Sequence, residues 1–67
     1  MSVNGDFFIN DDGEELHLKA VIAVEPAIGI NGHQRYTVIM SGAYHFSVKN
    51  SYYSRTDFIT AWKAAQA

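Results

Sequence analysis

Apolar and polar residues alternate with period two from Glu14 to Val24. Leu16, Leu18, Ala20, Ile22 and Val24 interleave there with Glu15, His17, Lys19, Val21 and Ala23. That period marks a β-strand with one buried face. From Ala20 onward both faces are apolar, so this end is expected to be covered on both sides. Upstream, the apolar run Phe7-Phe8-Ile9 is followed by Asn10-Asp11-Asp12-Gly13. Asn and Asp side chains bond their own backbone and Gly supplies a positive φ, which together signal a turn. Residues 7–25 therefore read as one β-hairpin. Pro26 ends it, because it has no N–H to give to a ladder. Residues 26–33 read as a loop; in the alternative, Ile28 and Ile30 prolong the strand and Asn31-Gly32 turns it directly into the next.

A second hairpin spans residues 34–49. Opposed residues of an antiparallel pair share a face. A two-residue loop at Ser41-Gly42 would mix polar and apolar residues on both faces. A three-residue loop, Ser41-Gly42-Ala43, pairs Met40 with Tyr44, Val38 with Phe46 and Tyr36 with Val48, leaving one face wholly apolar. Arg35/Lys49, Thr37/Ser47 and Ile39/His45 then lie on the other. A one-residue slip would expose the core face, so the three-residue loop is expected. The central position of Gly42 is unusual, since such loops favour Gly last.

The chain closes with a helix over residues 55–66. Ser54 as N-cap with Asp57 three residues later suits a capping box, and Tyr53 and Phe58 stand at the positions of a hydrophobic staple. Phe58, Ala61, Trp62 and Ala65 share one helical face. About a dozen residues make a marginal helix in isolation, so it must pack on the sheet. The expected fold is α+β: an antiparallel sheet of about four strands, in two hairpins, with the helix on the face of Tyr36, Val38, Met40, Tyr44, Phe46 and Val48. Over Tyr36 to Trp62 this order of strand, turn, strand and capped helix is similar in pattern to small phage and flagellar-regulator domains.

Sixty-seven residues allow one domain with a small core. The absence of cysteine excludes disulfides and thiolate metal sites, the usual reinforcements of so small a fold, and adds weight to a homodimer. The first residues lack the basic and apolar regions of a secretory signal. The longest apolar run, Ala20 to Val24, is too short to span a bilayer. A cytoplasmic protein with no membrane partner is the expectation.

Charge is unevenly placed. Residues 1–25 carry Asp6, Asp11, Asp12, Glu14, Glu15 and Glu25 against Lys19, whereas residues 26–67 carry Arg35, Lys49, Arg55 and Lys63 against Asp57. The simplest reading is that the halves lie side by side and neutralise each other.

Chemical motifs are few. Asn10-x-Asp12-Gly13 resembles part of a calcium loop, but that loop needs an acid and a Glu where Phe8 and Lys19 stand. His17, His33 and His45 show no metal-ligand spacing. No nucleophile elbow, phosphate loop or dinucleotide fingerprint occurs, and each serine has a turn, cap or strand explanation. Neither a catalytic residue nor a cofactor is assigned.

Binding remains. Four Phe, four Tyr and one Trp are many for one helix to cover. Phe7, Phe8, Tyr52 and Tyr53 have no evident burial site, and surplus aromatics beside charges are typical interface anchors. The leading expectation is a non-catalytic protein-binding module, a small regulator, inhibitor or assembly factor of the kind phages and other mobile elements encode. Its contacts would be Phe7, Phe8, Tyr52, Tyr53 and Arg55, with Asp11, Asp12, Glu14 and Glu15 facing a basic partner. The runner-up is a nucleic-acid-binding regulator using Arg35, His45 and Lys49 on the open sheet face. Four dispersed basic residues over residues 26–67, in a chain of net charge −2, are a weak footprint for it.

Overall fold

A computed structural model of the chain describes residues 3–30 and 33–66. Its elements are β1 (Val3–Asn4), β2 (Phe7–Ile9), β3 (Glu15–His17), a 3-10 turn (Leu18–Ala20), β4 (Val21–Val24), β5 (Arg35–Met40), β6 (Tyr44–Lys49) and α1 (Arg55–Gln66). The strands form two antiparallel sheets, ordered β1-β2-β3 and β4-β5-β6. The α+β class, the hairpins and the terminal helix are as expected. The strands are more numerous and divide between two sheets.

The β5–β6 hairpin has the register argued from its faces: Tyr36 opposes Val48, Val38 opposes Phe46 and Met40 opposes Tyr44. Its loop accounts for the central glycine. Gly42 (φ 88°) and Ala43 (φ 67°) are both left-handed, so the last loop position takes that conformation without a glycine. The β2–β3 hairpin pairs Phe8 with Leu16 around the loop Asp11-Asp12-Gly13. There Gly13 stands last, at φ 80°.

The expected strand from Glu14 to Val24 is broken. Its first part pairs with β2 and its second with β5, with the 3-10 turn between them. His17 caps that turn through Nδ1, which accepts the Lys19 N–H at 3.3 Å. The alternation shifts by one across the break: Leu16, Leu18 and Val21 are buried, whereas Ile22 is 62% exposed. A segment apolar on both faces does not specify its own register, so pairing with β5 decides it. Beyond Pro26, Ile28 exchanges two 2.9 Å backbone bonds with Arg35, so the chain keeps following β5 past the strand's end. The Asn31-Gly32 turn lies outside the described residues.

One core joins both sheets to the helix. Phe8, Leu16, Leu18, Val21, Tyr36, Val38, Met40, Val48 and Phe58 are its buried members. Each apolar side chain so enclosed contributes about 1.5–3 kcal/mol relative to exposure. Phe58 enters from α1, edge-on to Phe8 at 5.1 Å and 5.9 Å from Tyr36. Ala61, Trp62 and Ala65 pack beside it, as their spacing predicts. Tyr44 is the exception to the expected core face. It opposes buried Met40 yet is 69% exposed, at the strand end beside the loop.

The helix starts where its capping residues place it: Ser54 Oγ accepts the Asp57 N–H at 3.1 Å and Ser54 O accepts the Phe58 N–H at 2.9 Å. Tyr36 is fully buried and its hydroxyl donates to Tyr53 O at 2.8 Å. Burial pushes its phenol far above the ordinary range, with smaller contributions from Tyr53, Asp11 and Asp57. Among the described residues no helix is long and apolar enough to cross a membrane.

Candidate functional site

The turn after β2 docks against the second sheet, and this contact sorts the candidate residues. Asn10 is its centre. Its amide is 2% exposed, and its Oδ1 accepts the N–H groups of Asp12 (3.1 Å) and Glu14 (2.7 Å). Its Nδ2 donates to Glu14 Oε1 (2.8 Å) and, across the molecule, to Ser47 O on β6 (3.1 Å). Two donors and two acceptor sites are all that an amide has, so Asn10 is satisfied in full.

Asp11 continues the contact. Its Oδ1 accepts the Lys49 N–H at 3.0 Å, and its Oδ2 lies 3.1 Å from Arg35 Nη1. Burial works against its charged form, but the Lys49 N–H and Arg35 outweigh it and hold the carboxyl below its usual value. Arg35 is further committed through Nε to Ser47 Oγ at 2.6 Å. Asp12 reaches the same guanidinium at a longer 3.8 Å.

The acidic first part and the basic second part therefore neutralise each other at this junction. Asp11 faces an arginine of its own chain, so it is not free for a basic partner. Arg35 is correspondingly engaged with Asp11 and Ser47. Lys49 is half-buried beside it, and His45 is exposed farther along β6.

Two of the expected aromatic contacts belong to the core instead. Phe8 is 0% exposed, 5.0 Å from the Tyr53 ring and 5.1 Å from Phe58. Tyr53 is half-buried in the same cluster, and burial raises its phenol above the ordinary value. A single sheet with one helix has no room for these rings; the second sheet supplies it. Arg55 is also held within the fold. Its Nε donates to Glu25 O at 2.9 Å and its Nη2 to Val24 O at 3.1 Å, both at the end of β4.

Phe7, Tyr52, Glu14 and Glu15 remain at the surface, with Asp12. The structure adds Ile9, which alternation along β2 could have indicated. Phe7 opposes His17 and Ile9 opposes Glu15, so all four share the outward face of the first sheet. The Phe7 and His17 rings lie 4.8 Å apart. Tyr52 comes from the segment before α1 and donates its hydroxyl to Ile9 O at 2.9 Å. Phe7 and Tyr52 are each 43% exposed and Ile9 is 40% exposed. The result is an apolar surface rimmed by carboxylates. Glu14 is oriented by Asn10, and no cation lies within ion-pair distance of Glu14 or Glu15 among the described residues.

Ile22, Ile28 and Ile30 are exposed elsewhere, on β4 and after it. Among the described residues no group of His, Asp and Glu side chains is arranged to hold a metal ion. In comparisons with family models, curated proteins and solved structures, the chain matches none of them.

Proposed function

We propose that the chain is a non-catalytic protein-binding module acting in the cytoplasm, a small regulator, inhibitor or assembly factor. Its contact surface is the outward face of the first sheet. The observation that carries this reading is the grouping of Phe7, Ile9 and Tyr52 on one face. Tyr52 arrives there from a distant part of the chain and is held by the Ile9 carbonyl. Half-exposed aromatics fixed in place lose little entropy on binding, which is what interface anchors require. Asp12, Glu14 and Glu15 surround them, so the complementary partner is a protein with a basic rim around an apolar centre. Nothing comparable supports nucleic-acid binding, because Arg35 is already neutralised.

The test is capture from source-cell lysate with the immobilised chain, in nuclease-treated and untreated halves, beside a Phe7→Ser/Tyr52→Phe variant shown by circular dichroism to be folded. A protein band that survives nuclease and is lost with the variant is the expected result. Material that disappears with nuclease, or a band the variant retains, overturns the assignment.

A further inference from the structure

The fold closes two of its sheet edges with side chains. On β6, Asn10 and Asp11 bond the outward Ser47 O and Lys49 N–H, as a neighbouring strand would. On β4, Arg55 bonds the Val24 and Glu25 carbonyls. An edge strand left open is a template for another chain, and proteins commonly block it in such ways. β1 has only two residues. β3 is different. It is the edge of its sheet, with Glu15 and His17 both exposed.

The peptide groups along β3 can be assigned. Asn10 N–H bonds Glu14 O and Leu18 N–H bonds Asp6 O, so the even-numbered positions face β2. Glu15 and His17 therefore turn their backbone groups toward the open edge. The His17 carbonyl is the exception, because His17 is the N-cap of the 3-10 turn. Among the described residues nothing bonds the Glu15 N–H, the Glu15 C=O or the His17 N–H from that side.

This edge is complementary to itself. We propose that β3 pairs antiparallel with β3 of a second copy, about a two-fold axis at Leu16. The register places Glu15 opposite the second copy's His17, and His17 opposite its Glu15. Each His17 N–H donates to the opposite Glu15 carbonyl. Each Glu15 carboxylate faces an imidazole across the axis, a favourable cross-strand pair. An isologous contact of this kind closes on itself and does not propagate into a fibre. It joins the two first sheets into one of six strands and sets two Phe7/Ile9 faces side by side. The inference does not depend on what those faces bind.

The experiment is sedimentation analysis of the full chain at rising concentration, with circular dichroism to verify folding. The wild type should pass reversibly from monomer to dimer. Glu15→Lys, which places a lysine opposite His17, should weaken the dimer at least tenfold. His17→Glu should do the same by opposing two carboxylates. Combining both substitutions in one chain sets a lysine opposite a glutamate and should restore the dimer, as should mixing the two single variants. A wild type that stays monomeric into the millimolar range overturns the proposal. So does a dimer insensitive to both single substitutions, or one that the combined substitution fails to rescue.

Discussion

Asp11 Oδ1 accepts the backbone N–H of Lys49 at 3.0 Å, so a turn side chain completes a strand edge 38 residues away. The same carboxylate pairs with Arg35. Its folded-state pKa is depressed, below the roughly 3.9 of an unfolded Asp. Its contribution to stability is then fully present above the unfolded value and is lost as pH falls through the lower folded value. Urea midpoints of the wild type should fall between about pH 5 and pH 2. Asp11→Asn should be less stable at neutral pH by about 1 kcal/mol and less sensitive to acid, so that the two curves converge at low pH. Parallel curves would refute this role.

Asn10 makes four side-chain bonds at a nearly buried site. Asn10→Ala leaves Ser47 O and the turn N–H groups without those partners and should lower stability by about 2–3 kcal/mol. Asn10→Asp should lose at least as much, because an oxygen replaces the donor that faces Ser47 O and Glu14. Thermal unfolding measures both, at roughly 4–8 °C per kcal/mol for a domain of this size. An Asp variant as stable as the wild type would show that the Ser47 contact contributes nothing.

Ala43 holds φ at 67°, a conformation that costs a non-glycine residue about 1–2 kcal/mol. Glycine removes that strain but loses more entropy on folding. Ala43→Gly should therefore stabilise the protein by about 0.5–1 kcal/mol, read as a higher denaturant midpoint with an unchanged slope. A lower midpoint would mean that the hairpin loop is not left-handed at this residue.

Adjacent phenylalanines should behave as opposites. Phe8→Ala empties the junction of both sheets with α1 and should cost about 3–5 kcal/mol, a large share of the stability of so small a domain. Phe7→Ser removes an exposed ring and should cost under about 1 kcal/mol while weakening partner capture. Equal losses at the two positions would contradict the inward and outward assignment along β2.

Short-range physics makes several features of this fold legible in the sequence. The Asn10–Gly13 and Ser41–Ala43 turns, the Ser54 cap and the β5–β6 register depend on residues a few positions apart or on one face pattern. The same logic directs Phe58, Ala61 and Trp62 toward the core. It fails for Glu14 to Val24. The second half of that segment is apolar on both faces, and only competition between β2 and β5 as partners places the break at Leu18–Ala20.

The candidate surface is half legible for the same reason. Phe7 and Tyr52 are exposed, as their sequence context indicates, whereas Phe8, Tyr53, Asp11 and Arg55 look like surface residues in the sequence and are engaged within the fold. Charge and aromatic content follow from the sequence alone, but the partner each side chain meets depends on which distant strands come together. Local propensity determined the turns, the helix and the alternating faces. The tertiary structure decided which aromatics are core, which charges cancel and which edge stays open, because each of those outcomes requires contacts between residues that no local interaction brings together.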